Sequence, residues 1–246
     1  MDAPTGWQSW RALVIQLIAI LVILVALVIW LQLAPLTATE LTTLAPAALW
    51  GYTLQHLQLT LLAAVIVLGI AVPLGVLLTR NRFRLLNGPV LALANIGQAA
   101  PSIGLLVLLA FWLGFGFWPA VIALVLYGVL PVLRNTMVGL QHVDQRLVEA
   151  GRGMGMTATA VLFKVELPLA VPIMLAGIRT ALVLLVGTAA LAAFVNGGGL
   201  GILITTGVQL NLPTVLITGS LLVALLALLV DWAGRVVEHL CRPKGL

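Results

Sequence analysis

The chain has 246 residues, 62% hydrophobic and only 8% charged, with a mean hydropathy of +1.21. Soluble domains carry about 25% charged residues, so this chain lacks the charge to cover a water-facing surface, and its net charge of +5 does not point to a nucleic-acid partner. Long unbroken Leu, Val and Ala runs also exclude a transmembrane β-barrel, whose strands alternate over about 10 residues; the expectation is an all-α, polytopic membrane protein with lipid as its main solvent.

Residues 1–11 are polar by the standards of this chain and end at Arg11. Ala12 to Ala34 then runs for 23 residues broken only by Gln16 and Gln32. That exceeds the about 7–15 residues of a secretory signal core and suits a spanning helix, which needs about 20. A loop from Pro35 to Trp50 holds Glu40 and no Lys or Arg. A second span covers about Tyr52 to Thr79, with Gly69, Pro73 and Gly75 in its later half, and Arg80, Arg82 and Arg84 follow at once. A third, about Pro89 to Leu113, carries Asn95, Gln98, Pro101 and Ser102. After a turn at Gly114–Phe117 comes a fourth, about Trp118 to Leu140, with Pro131, Arg134 and Asn135 late in it. A polar segment, 141–171, separates it from a fifth span, about Pro172 to Val195. The loop opened by Asn196-Gly197-Gly198-Gly199-Leu200-Gly201 leads to a sixth, about Pro213 to Trp232, and a tail holding Arg235, Arg242 and Lys244. The whole chain reads as one transmembrane domain.

Six spans put both termini on one side, and every Lys and Arg falls on or near that side. The positive-inside rule makes it the cytoplasm. The polar segment is then cytoplasmic too. Asp144 suits the N-cap of a helix starting at Gln145, and Gly151, Gly153 and Gly155 suit its end, since glycine adopts the left-handed cap conformation. Thr157 suits the cap of a second helix through about Lys164, which Pro168 and Pro172 should stop. Two short helices joined by a glycine turn form a knob that fits a partner's groove. The plainer alternative is a solvated helix in which Glu149 pairs with Arg146 and Arg152, three residues to either side.

The spacing Glu149-Ala150-Gly151, Gly155, then Val165-x-Leu167-Pro168 resembles the signature of permease subunits of bacterial ATP-binding-cassette importers, with Gly151 in place of the usual alanine and Val165 in place of isoleucine. The resemblance implies the binding-protein-dependent importer permease fold. It also implies that Glu149, Ala150, Gly151, Gly155, Leu167 and Pro168 form coupling helices docking into a cytoplasmic ATPase. His56-Leu57-Gln58-Leu59-Thr60, Pro73-Leu74-Gly75 and Gln98-Ala99-Ala100-Pro101-Ser102 are similar to the osmoprotectant branch, which handles glycine betaine, choline and other quaternary amines. So are the segments Tyr127–Thr136, Ala176–Thr180 and Ala193–Gly201, although that branch usually has a smaller residue than Asn196. The resemblance spans roughly Leu54 to Leu240. It implies an ATPase dimer, a second permease chain, an extracytoplasmic substrate-binding protein, and ATP and Mg carried by the ATPase, with no cofactor on this chain.

Asn95, Gln98 and Ser102, three and four residues apart, would share one face of the third helix. Such a polar face must meet protein or water: a translocation-path wall with Pro101 breaking the helix, or interhelical hydrogen bonds. Arg179 and Asp231 are intramembrane ions, for which pairing is the expectation, with snorkelling of Arg179 the alternative. Neither glycine cluster contains Gly-x-x-x-x-Gly-Lys-Ser/Thr or follows a strand, so no phosphate loop is expected. His56, His142 and His239 lack metal-ligand spacing; structural roles are expected, with His56 the one close enough to the outer face to touch a docking protein. Cys241 stands alone, so no intrachain disulfide can form. No aromatic cluster suggests a cation–π box for a quaternary ammonium. Carboxylates are missing from the middle of every span, which counts against a proton-coupled carrier. No serine has a histidine at similar depth, which counts against an intramembrane hydrolase. A same-class permease for another solute, such as methionine or an organic anion, is the closest rival.

Overall fold

The computed structural model describes residues 6–241, apart from the side chains of the first few. Arg242 and Lys244 of the tail lie outside it. Among the described residues the chain is entirely helical. The long helices are α1 (Gly6–Leu33), α3 (Pro46–Leu78), α6 (Phe117–Gln141), α9 (Leu167–Ala189) and α11 (Pro213–Leu240). Shorter ones are α2 (Ala38–Thr43), α4 (Asn87–Ala99), α5 (Ser102–Leu113), α7 (Gln145–Gly153), α8 (Ala158–Val161) and α10 (Gly201–Gln209). Five stretches are long and apolar enough to cross a membrane, and a sixth is a helix pair.

That sixth is the expected third span, and it is broken. α4 and α5 meet at 97° across Ala100-Pro101. Proline has no N–H and disfavours helical geometry in the residue before it; Ala100 is extended accordingly, at φ −62° and ψ 140°. The carbonyl left over at the break accepts a hydrogen bond from the Tyr127 hydroxyl of α6, which meets the demand that no backbone group go unsatisfied at membrane depth. Packing shows that the bent pair still crosses. Val90, Leu91 and Ala94 of α4 sit against Val132, Leu133 and Met137, near the end of α6. Leu106 and Ala110 of α5 sit against Ala120 and Val121, near its start. The break corrects one expectation: Asn95 and Gln98 lie on α4 while Ser102 opens α5, so the three share no helix face.

Other boundaries move as well. α3 begins at Pro46, six residues before the expected start, and α11 runs on to Leu240. The fifth span does not begin at Pro172. From Ala158 the chain passes through a π-helical turn, Leu162–Glu166, straight into α9, with Pro168 in the first turn of α9 and Pro172 inside it. Neither proline stops the helix. A proline in the first turn removes only an N–H that would have no helical partner, and the wide π turn has already shifted the hydrogen-bond register.

The centre of the bundle is the trio α3, α6 and α9. In lipid, helices gain little by hiding leucine from an equally apolar solvent, so association depends on close packing over small residues. A Cβ added at Gly75 of α3 would lie 2.7 Å from Thr136 Cγ2 of α6, and one at Gly128 would lie 2.9 Å from Val67 Cγ2. α1 is peripheral and is tied to α11 by polar contacts. Trp232 Nε1 donates to the Leu13 carbonyl at 3.0 Å, Gln16 Nε2 donates to Asp231 Oδ2 at 3.2 Å, and Trp10 meets His239 edge-on at 4.8 Å. Between α1 and α3, α2 starts with a capping box in which the Thr37 backbone N–H and hydroxyl both donate to Glu40 Oε2 at 2.9 Å. Those bonds hold the Glu40 carboxyl below the ordinary carboxylate range.

Gly75→Leu is therefore expected to wedge α3 from α6, at about 1–3 kcal/mol or more for overpacking, and to lower the melting temperature of the purified protein in detergent. Gly69→Ala, where an added Cβ meets nothing within 4 Å, should melt at or slightly above the parent temperature, since alanine is the better helix former.

Candidate functional site

The segment after α6 projects as a small knob on the arginine-rich side. Asp144 caps α7 by accepting from the Arg146 backbone N–H at 2.9 Å. At the other end the Met156 N–H donates to the Gly151 carbonyl at 3.1 Å and the Gly155 N–H to the Arg152 carbonyl at 2.9 Å. With Gly155 at φ +82°, this pair of bonds is a Schellman cap. Of the three glycines only Gly155 takes the left-handed conformation. Thr157 then caps α8, accepting from the Ala160 N–H at 3.2 Å.

Val148 and Gly151 turn inward, and α7 leans on Val161 and Val165 across the glycine turn. A Cβ at Gly151 would sit 3.5 Å from both Met156 Sδ and Val161 Cγ2, which is ordinary contact. An alanine fits there, so Gly151 does not distort the motif. Glu149 and Ala150 point outward, with Gly155 and Pro168 also exposed and Leu167 half-buried. Glu149 forms no ion pair with Arg146 or Arg152 in the structure. Beside this face is an open cavity of about 340 Å³ lined by Leu147, Ala150, Met154, Lys164, Val165 and Pro168. The knob thus offers one unpaired carboxylate and a mainly apolar recess.

The polar residues of the broken helix separate into two kinds. Asn95 Oδ1 accepts from Arg134 Nη2 at 2.9 Å. Gln98 and Ser102, both half-buried, have no side-chain hydrogen bond within the described chain, and Pro101 is exposed at the corner between them.

Arg179 and Asp231 meet, with Nε 3.6 Å from Oδ1. They belong to a larger cluster: Arg179 Nη1 lies 3.1 Å from Glu238 Oε2, and Arg235 Nε lies 2.8 Å from Asp231 Oδ2. Two arginines face two carboxylates, so the group is neutral and suited to low dielectric. Sequence reasoning missed Glu238 because the sixth span was ended at Trp232. A helix continuing to Leu240 puts residue 238 two turns after Asp231, on the same face. Sequence reasoning also missed Glu166, whose carboxylate is buried and takes two N–H groups of Arg80.

His56 is fully buried, so it touches no docking protein. Its Nδ1 accepts the Leu200 N–H at 3.3 Å, which leaves the proton on Nε2, 3.0 Å from the Val186 carbonyl. Next to it, Gln55 Oε1 accepts the Gly199 N–H at 3.2 Å. The glycine cluster at 197–201 is thus a pinned turn between α9 and α10, with Gly198 at φ +88° and Gly199 at φ +87°.

An all-helical bundle with a broken third crossing and an exposed helical knob is the architecture of a transporter's membrane component. The chain belongs to the family of binding-protein-dependent transport system inner membrane components, whose family pattern matches residues 71–242. It is 44% identical over 192 residues to the glycine betaine/carnitine/choline transport system permease protein OpuCB of Bacillus subtilis, covering 78% of this chain and 88% of that one. It is 42% identical to the choline transport system permease protein OpuBB of the same organism, covering 79% and 88%. To the osmoprotectant import permease protein OsmW of Salmonella typhimurium it is also 42% identical, covering 79% and 92%. In three dimensions it is similar to a chain of the inward-facing MetNI methionine ABC transporter, with a TM-score of 0.69 and 27% identity over 81% of this chain and all of that one. These relatives are permease subunits of ATP-binding-cassette importers.

Gly151→Ala should raise stability by up to about 1 kcal/mol, the helix-interior preference for alanine. Gly155→Ala should lower it by about 1–2 kcal/mol, because the left-handed conformation crowds a Cβ. Thermal unfolding of the two variants side by side tests this pair. Arg179→Met leaves Glu238 without its cation while Asp231 keeps Arg235, and is expected to cost about 1–3 kcal/mol, seen as loss of folded protein in the membrane. Glu238→Gln, which keeps the Asp231 contact, should cost less.

Proposed function

We propose that this chain is the permease subunit of an ATP-driven importer for quaternary-ammonium osmoprotectants such as glycine betaine and choline. The observation that carries the assignment to an importer is the knob, a capped helix pair whose Glu149 and Ala150 face outward and have no side-chain partner among the described residues. The substrate class follows from the named relatives at 42–44% identity. The knob lies in the cytoplasm, as do both termini, because the arginines cluster there. ATP and Mg bind to a separate ATPase dimer, and this chain is not itself an enzyme. A dimeric ATPase has two clefts and each permease chain has one knob, so a second permease chain completes the complex.

Import proceeds by alternation between inward- and outward-facing states. Closure of the ATPase moves the knobs and biases the two-state bundle, as coupling between distant sites requires. An extracytoplasmic binding protein delivers the substrate. Gln98 and Ser102, with side chains left unpaired on either side of the bend at Pro101, line the path with it, and Asn95 is held at its edge by Arg134. The similarity to a methionine transporter supports one other reading, a permease of the same class for an amino acid.

Affinity purification of the tagged chain should bring down an ATPase and an extracytoplasmic binding protein. Proteoliposomes of that complex should take up radiolabelled betaine or choline in preference to methionine. A lone chain that transports without ATP would overturn the importer reading, and methionine uptake would overturn the substrate. Glu149→Lys should leave membrane insertion intact and abolish ATP-driven uptake; unchanged uptake would remove the coupling role from this residue.

A further inference from the structure

Two contacts, one in the first half of α3 and one just past its last turn, grip the chain before and after α9. On the arginine-rich side, Arg80 follows the last turn of α3, and its Nη1 donates to Glu166 Oε1 at 3.2 Å while Nη2 donates to Oε2. Paired donors on paired oxygens fix orientation as well as distance. Glu166 closes the π-helical turn that joins the coupling knob to α9, and it is the unspecified residue of Val165-x-Leu167-Pro168. On the far side, Gln55 and His56 of α3 accept the N–H groups of Gly199 and Leu200, in the glycine turn that follows α9 and the 3-10 turn Ala190–Val195, while His56 Nε2 donates to the Val186 carbonyl within α9. Between these grips α3 packs along both α6 and α9. It is helical throughout, so the grips stand about 37 Å apart at 1.5 Å per residue.

We propose that Arg80 and Glu166 are positioning residues for coupling, and that α3 is a connecting rod. Displacement of the knob is passed through the Arg80–Glu166 pair to α3, and from Gln55 and His56 to the glycine turn on the opposite membrane face. A bidentate ion pair suits this task because a sideways shift of either partner breaks both bonds together. The pair also forms part of the wall of a polar cavity of about 300 Å³, lined in addition by Asn81, Gln141, Gln145 and Arg152. Arg80 stays a third exposed beside that cavity, so Glu166→Gln leaves it solvated, whereas Arg80→Gln leaves a buried carboxylate; melting temperature is therefore measured for each variant, and Glu166→Gln keeps the test open should the other not fold. The uptake readout rests on the importer reading; the structural readout does not.

The test is a double-mutant cycle, Arg80→Gln, Glu166→Gln and both together, in the purified complex reconstituted into liposomes. Uptake per ATP hydrolysed should fall about tenfold in each single variant, within the span of ordinary coupling energies. The double variant should fall no further, as expected for residues acting through one contact. Hydrogen exchange supplies the independent measurement. Each variant should speed amide exchange in 145–161 and also in 196–201, on the opposite membrane face. Arg80→Lys, which keeps the charge but loses the two-pronged geometry, should fall between parent and Arg80→Gln in both readouts. Exchange that rises around 162–167 alone, single effects that add in the double variant, or unchanged uptake per ATP would overturn the proposal. Should the parent complex move no betaine, the substrate reading fails while the exchange pattern still decides the rod.

Discussion

Everything in this molecule answers to one constraint: in hydrocarbon, a backbone N–H or C=O has no water to fall back on. Continuous helices meet it cheaply, which is why the chain is built from them. Each departure from regular helix is matched by a specific partner. At Ala100 it is the Tyr127 hydroxyl; at Gly199 and Leu200 it is the side chains of Gln55 and His56. Removing such a partner exposes a backbone dipole to lipid, so these polar side chains hold the irregular parts of the fold in place.

The same solvent weakens the usual reason for helices to pack. Leucine against leucine is little better than leucine against a lipid tail, and contact therefore depends on shape and polar pairing. α3, α6 and α9 approach closely at Gly75 and Gly128, and α9 is joined to α11 by the arginine and carboxylate cluster around Arg179 and Asp231. The knob then inherits its stiffness from the core. α7 rests on Val161 and Val165, those belong to the turn leading into α9, and Glu166 ties that turn to the end of α3. An exposed surface built in this way can transmit displacement where a loop would absorb it.

Hydropathy and local pattern were enough to read the helical class, the crossings and the caps of the knob at Asp144 and Thr157, because these depend on composition and local hydrogen bonding. The spacing from Glu149 to Pro168 was enough to read the family. The sequence reading went astray at two of the prolines. Pro168 and Pro172 were expected to stop a helix that runs on, whereas Pro101, read as a helix break, does turn the chain, through 97°. All three residues have the same local preference. What differs is whether a neighbouring element satisfies the freed carbonyl and rewards the bend, as Tyr127 does at Ala100, or whether a π turn has already shifted the register.

By itself, then, the sequence determined what this protein dissolves in, which stretches are apolar enough to cross the bilayer and which family it joins. Those properties are sums over residues or short-range patterns. The tertiary structure alone decided that Arg80 meets Glu166, that Arg179 faces Glu238 as well as Asp231, and that Gln55 and His56 hold the glycine turn near residue 199. These pairs lie up to 144 residues apart in the chain, and no local preference records which helix will lie beside which. That is settled only when the small residues of α3, α6 and α9 find the one arrangement that lets their backbones touch.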